Sequence, residues 1–480
     1  VSTRRDFLAA ATLAPLRPQS GGAGRKFHAG AAAVNITPPL GAQIAGNMTF
    51  APAAEIHDEL HVKSLVLDNG RTRLAFAVVD SCMVPGDIIA KARRMVEEHT
   101  GIPPAKVMVS ATHTHSAPAA THLFQSRPDP KYVDWLAVRI ADSVRLAVER
   151  LEPARIGWGI GREERLLFCR RFYMKPGTIP PNPLGGTTDR VQMNPPSGSP
   201  NILRPEGPID PDVGVIAVES VQGRPICVIG NYALHYVGGV GRGHISADYF
   251  AYWAQAMARQ AGVSASSGFP PFVGILTNAC SGQGVSTNHR VAQKRYPPYV
   301  KMEWVAGVLA AEAYRTWRTI QFHDWVELDA TEEELEFAVR LPGRADVAEA
   351  HKILAAAGWS MGSKEQVTDR RAIYARETVF LADYPQTVKT PVQALRIGAL
   401  GLATFPGEAF AELGLEVKAK SPFQPTMLIE LANDYRGYIP TPEAHANGGY
   451  ETWRAKSSYL EVNAAPRMVA SAVRQLEKLK

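Results

Sequence analysis

Hydrophobic positions along the chain change period repeatedly between two and 3.6, which predicts strands and helices in alternation. Residues 31–36, 60–67 and 74–79 read as strands, rich in small and β-branched residues and punctuated by the turn sequence Asp68-Asn69-Gly70. Residues 86–99 have helical spacing, with Ile88, Ile89, Ala92 and Val96 on one side. A strand over 107–114 follows, then a helix over 132–152 and a strand over 155–161. Further strands are predicted at 213–220, 225–233, 273–278, 326–337, 388–397 and 402–405, and helices at 249–260, 300–317, 345–357, 409–420 and 466–479. Residues 175–212 are rich in Pro, Gly, Asn and Ser and too long for an idle connection, so they read as a surface loop over a site. No internal repeat and no domain break interrupt the pattern. The expected fold is a single large α/β domain over 25–480, with mixed β-sheet layers and packed helices.

Composition supports a globular chain of 480 residues, 45% hydrophobic and 20% charged. The formal charge of +6 is scattered and forms no dense basic block, which argues against a nucleic-acid groove. Cys82, Cys169, Cys227 and Cys280 lie far apart in mostly apolar contexts; they read as buried thiols, with neither a disulfide framework nor a zinc-ribbon spacing. A metal would therefore need histidine and carboxylate ligands. Near the N-terminus, Arg4-Arg5-Asp6-Phe7-Leu8 precedes a short apolar run and a Gly/Ser-rich segment through Gly24. That pattern resembles a bacterial twin-arginine export signal over 1–24, so a periplasmic or extracellular protein is expected. No stretch reaches ~18 uninterrupted apolar residues, and no transmembrane segment is expected.

The candidate chemistry centres on Val107-Met-Val-Ser-Ala-Thr-His-Thr-His-Ser116. Strand alternation would put His113 and His115 on one face, and two imidazoles in register make half a zinc site. Hydrogen-bonded polar residues at a strand end are the simpler alternative. His235 stands at the end of another apolar strand, beside a Gly-rich turn that carries His244. Glu408 follows the tight Pro406-Gly407 turn and is expected in the first turn of a helix, where the dipole favours a carboxylate. Tyr435, Tyr438 and Tyr450 cluster in one loop-like segment; each could be a packing anchor or a phenol held near a cation.

These motifs together resemble the catalytic region of the neutral (non-lysosomal) ceramidase family and its bacterial relatives. The resemblance runs through Ala33-Val-Asn-Ile-Thr-Pro-Pro-Leu-Gly41, Ala111-Thr-His-Thr-His-Ser116, Asn231-Tyr-Ala-Leu-His235, Ser246-Ala-Asp-Tyr249, Pro406-Gly-Glu408 and the tyrosine segment, in order along the chain. It implies a Zn2+ held by His113, His235, Glu408 and Tyr438, with His115, Arg170 and Tyr450 at the reacting group. Ser286 falls at the family's catalytic serine when Val285-Ser286-Thr287-Asn288 is the anchor; an anchor on Ser281-Gly282 would instead place Gln283 at the preceding aspartate. Cys169 precedes Arg170 where the family has asparagine, and Tyr236 follows His235 where it has proline. With the chain ending at Lys480, the family's immunoglobulin-like C-terminal domain is not expected. The implied activity is zinc-dependent hydrolysis of an amide bond, in N-acylsphingosine or another small-molecule or lipid N-acyl substrate. An esterase or amidase with a non-ceramide substrate, and a catalytically silent exported binding protein, stay open on the same scaffold.

Overall fold

The computed structural model describes residues 26–263, 270–360, 363 and 366–480, so the expected export signal lies outside the described residues. Strands β1 (His28–Asn35), β2 (His61–Asp68), β3 (Arg73–Val79) and β4 (Val107–Ala111) form half of an eight-stranded sheet. The other half is β5 (Glu152–Arg162), β6 (Asp212–Ser220), β7 (Pro225–Tyr232) and β8 (Val273–Asn278). The strand order is β8-β7-β6-β5-β1-β2-β3-β4. Strands β9 (Leu328–Ala338), β10 (Thr387–Ile397), β11 (Leu400–Thr404) and β12 (Thr426–Ile429) make a second, four-stranded sheet in sequence order. The expected mixed α/β architecture is what the chain adopts.

One connectivity recurs three times: two antiparallel steps, then a helical crossover to a parallel neighbour. Helix α1 (Gly86–Thr100) joins the parallel pair β3/β4, and α2 (Pro130–Glu149) leads on to the second unit. There α3 (Tyr249–Gln260) joins the parallel pair β7/β8. After α4 (Val300–Trp317), α5 (Arg344–Ala356) and α6 (Arg370–Ala382), helix α7 (Ala411–Lys420) joins the parallel pair β11/β12, and α8 (Ala464–Leu479) closes the chain. Parallel neighbours need such crossovers because both strands must start from the same edge.

Packing follows from period-two alternation on these strands. Leu65, Phe76, Met108, Ile216, Ile229 and Ile275 face inward from the large sheet and meet Leu328, Leu395, Leu402 and Met427 of the small one. The opposite face of the large sheet is covered over one half by α1 and α2, where Val62, Ala77 and Val109 meet Ile88, Leu136 and Ile140. Helices α3 and α4 cover the other half. Helix α8 packs Met468, Ala472 and Leu476 on the outer face of the small sheet. The result is a helix–sheet–sheet–helix sandwich in which the large sheet is covered on both faces, while Glu334 and Glu336 at the far end of β9 stay exposed.

Several predicted elements differ from those formed. The strand expected over 107–114 stops at Ala111, and His113 has φ 67°, in the left-handed region. The helix expected from 409 begins at Ala411, and Glu408 instead joins a two-stranded bridge with Tyr438–Ile439. The 175–212 segment carries strands of a small three-stranded sheet, built from Arg171–Met174, Val191–Met193 and Ile202–Pro205. Helix α6 and strand β12 were not anticipated. All four cysteines are buried free thiols, as their apolar contexts imply. No described helix is long and apolar enough to cross a membrane.

Candidate metal centre

The strands of the three parallel pairs deliver their following residues to one place. β4 leads to His113, β7 to His235 and β11 to Glu408, all beyond strand C-terminal ends, where open α/β sheets commonly bind ligands. The Nε2 atoms of His113 and His235 lie 3.0 Å apart, and Glu408 Oε2 is 3.4 Å from the first and 3.6 Å from the second. All three side chains are buried, and together they form a group that could hold a metal ion.

Backbone carbonyls fix how the rings present themselves. His113 Nδ1 is 2.6 Å from the Cys82 carbonyl, and His235 Nδ1 is 3.3 Å from the Ser281 carbonyl. A carbonyl only accepts, so each Nδ1 carries the proton and, in the neutral rings, each Nε2 presents a lone pair. Two such lone pairs face one another beside a buried carboxylate oxygen, Glu408 Oε2, that accepts no hydrogen bond from the described residues. A positive charge there, either a proton on His113 or a cation shared by the three atoms, relieves that repulsion, and carbonyl-backed imidazoles are the usual support for a metal. The other oxygen, Glu408 Oε1, accepts from the Tyr435 hydroxyl at 3.0 Å.

The electrostatics agree with a centre that attracts positive charge. Burial disfavours a charged His113, yet the Glu408 carboxylate lifts its pKa well above the ordinary histidine value. Burial would raise Glu408 too, but His113 brings it below the usual glutamate value. Burial, together with His113 and Arg170, pushes His115 and His235 well below the ordinary value, so both stay neutral near pH 7.

His115 comes to the centre by a route different from strand alternation. The left-handed turn at His113 swings the chain so that His115 Nε2 lies 3.2 Å from His113 Nε2, with the rings 83° apart. Its far face stacks on Tyr236 at 3.6 Å between centroids. Tyr438 lies beside Glu408 in the parallel register, and its hydroxyl accepts from Arg170 Nη2 at 3.0 Å. Tyr450 meets the Tyr438 ring edge-on at 5.7 Å. Arg170 is buried and donates its Nε to Glu451 at 2.8 Å, and Glu451 also accepts from Arg171.

Three residues raised by the sequence stand apart. Ser286 is half-buried after the bridge formed by Gly284–Val285 and hydrogen-bonds none of the described cluster residues. Gln283 turns away to accept from Ala411 N and donate to Glu412. His244 bonds Tyr299 and plays no part in the cluster. Sequence reading passed over Tyr435 as a partner of Glu408, Tyr236 as a platform for His115, and Glu451 as the anchor of Arg170. Tyr435 was already among the three candidate phenols, and Glu451 stands beside Tyr450. The carbonyls of Cys82 and Ser281 carry no side-chain signal at all.

No family model and no curated protein matches the sequence. Among solved structures, the fold is similar to that of neutral ceramidase from Pseudomonas aeruginosa, with a TM-score of 0.69 and 19% identity over 95% of this chain and 74% of that one. A ceramidase complexed with C2 is similar to the same degree, with a TM-score of 0.69 and 18% identity over 95% of this chain and 75% of that one. The fold is thus neutral-ceramidase-like.

Proposed function

We propose that this protein is a zinc-dependent hydrolase that cleaves an amide bond, with N-acylsphingosine or another N-acyl lipid as its substrate class. The observation that carries the proposal is the opposed Nε2 pair of His113 and His235 beside the unpartnered Glu408 Oε2. Two imidazoles and a carboxylate are a donor set that suits zinc, with Tyr438 as the fourth protein ligand. When bound, zinc supplies Lewis acidity toward the scissile carbonyl and acidifies water near neutral pH.

The chain's own residues divide the remaining work. His115, neutral and held by Tyr236, takes and returns a proton at Nε2. Arg170, fixed by Glu451, and the Tyr450 hydroxyl stabilise the negative oxygen that develops on the former carbonyl. Ser286 contributes a hydroxyl that orients the substrate or attacks it. The fold likeness to ceramidases supports amide hydrolysis, and the paired arginines at 4–5 support export to the periplasm or beyond. Tyr236, lying against His115 where proline is usual in the family, favours as second reading a zinc hydrolase acting on another N-acyl or ester bond.

Metal analysis of protein purified without added zinc, joined to turnover of a panel of N-acyl and ester compounds with and without chelator, tests the proposal. One equivalent of zinc and chelator-sensitive amide cleavage are expected. A stable fold without stoichiometric metal would sink it.

A further inference from the structure

The three parallel strand pairs deliver more than the three candidate ligands. In the first pair β4 leads to His113 while its neighbour β3 leads to Cys82, whose carbonyl holds His113 Nδ1. In the second, β7 leads to His235 while β8 leads to Ser281, whose carbonyl holds His235 Nδ1. Each pair supplies a ligand from one strand and its support from the other. In the third pair β11 leads to Glu408, and the residue that follows its neighbour β12 is Glu430.

Glu430 is fully buried and belongs to neither the metal set nor the reacting groups. Its Oε2 accepts from Ala409 N at 2.7 Å, the backbone amide immediately after Glu408. Its Oε1 accepts from the Ser281 hydroxyl, whose own residue carbonyl orients His235. Its backbone N donates to the Asn278 carbonyl at 3.1 Å, and Asn278 Nδ2 donates to the Thr112 carbonyl, next to His113, at 3.0 Å. The carboxyl thus bonds the Glu408 and His235 segments directly, and the backbone of the same residue reaches the His113 segment through Asn278. Among the described residues no cation contacts its carboxyl, so ion pairing with them does not account for a carboxyl group at this depth.

We infer that Glu430 is a positioning residue for the metal centre, its carboxyl clamping the Glu408 loop to the turn that orients His235. The inference rests on the metal-centre reading proposed above. Partners in this outer layer commonly set metal affinity by 10–100-fold, because a ligand free to rotate must be ordered again on binding.

The test is zinc titration of metal-depleted wild type, Glu430→Ala, Glu430→Gln and Ser281→Ala against a chromophoric chelator, with Tm of each metal-free protein measured alongside. Gln keeps an acceptor for Ala409 N and a polar partner for Ser281, so its affinity should stay within about threefold of wild type. Ala keeps neither and should weaken zinc by about 10–100-fold. Ser281→Ala removes one bond only and should weaken zinc by about threefold to tenfold, which keeps the inference open to refutation should Glu430→Ala not fold. A merely structural role would lower Tm and leave affinity alone. Glu430→Ala or Ser281→Ala binding zinc like wild type would overturn the inference, as would Gln failing as badly as Ala. Wild type that binds no zinc overturns the proposed function itself, and the inference with it.

Discussion

Tyr435→Phe is the sharpest probe of the centre, because it deletes one hydroxyl and keeps the ring. That hydroxyl donates to Glu408 Oε1 at 3.0 Å and leaves Oε2 to face His113 and His235. The ring itself packs against the core beneath α1 and against the α5–α6 cluster, and the substitution preserves both contacts. A hydrogen bond to a charged group contributes about 1.5–3 kcal/mol, and about 1.4 kcal/mol is tenfold in an equilibrium constant. Part of that loss falls on the metal-free fold, so the expected drop in zinc affinity is about tenfold to a hundredfold. Competition with a chromophoric chelator at fixed pH reads it. Tyr438→Phe is the matched comparison. If Tyr438 is a ligand, its loss should weaken zinc more than the loss of Tyr435 does. Unchanged affinity in Tyr435→Phe would refute the view that this hydroxyl orients Glu408. Wild-type affinity in Tyr438→Phe would remove Tyr438 from the ligand set.

His113→Ala and Glu408→Ala should abolish stoichiometric zinc, whereas His115→Ala should keep zinc and lose about 10²–10⁴-fold in turnover; metal content measured beside activity separates the roles. Gly46→Ala should displace His115 without touching a ligand, because the new Cβ would sit 2.4 Å from His115 Cγ at a backbone φ of +97°. Turnover should fall with zinc content retained, and a variant as active as wild type would count against His115 as the proton carrier. Burial pushes the Glu430 carboxyl up to about 8, so between the ordinary carboxylate range and that value the folded protein holds a proton that the unfolded chain has released. Its contribution to stability is present below about 4.5 and is lost as pH rises through about 8. Glu430→Gln should therefore gain stability relative to wild type from pH 5 to pH 8 in denaturant melts of metal-free protein; an equal or opposite trend would contradict this.

The element periods in the sequence carried most of the fold. Helices α3 and α4 and strand β8 form over 249–260, 300–317 and 273–278, the spans their patterns predict. The same periodicity misread the site's local geometry. Val107, Val109, Ala111, His113 and His115 alternate like one strand, but the strand ends at Ala111 and the left-handed φ of His113 makes the convergence. Nothing in a hydrophobic pattern marks a histidine that takes a conformation more common for glycine or asparagine. Glu408 was misplaced for a related reason. The apolar run after it looks helical, yet Glu408 pairs in register with Tyr438, while Tyr435 reaches the same carboxylate through its hydroxyl.

The threefold repetition of connectivity explains why the site lies where it does. Its units share no visible sequence repeat, because what recurs is pairing direction, and strand period is blind to direction. A parallel pair must carry both its chains out at the same end, so each pair places two exit segments side by side. One exit can then carry a ligand while the other carries the group that orients it. His113 with Cys82 and His235 with Ser281 both follow that division. Antiparallel neighbours could not provide it, since their exits lie at opposite ends of the sheet. The parallel steps in β3/β4, β7/β8 and β11/β12 are therefore the structural condition for bringing His113, His235 and Glu408 together as a buried candidate centre in a sandwich otherwise built from antiparallel ladders.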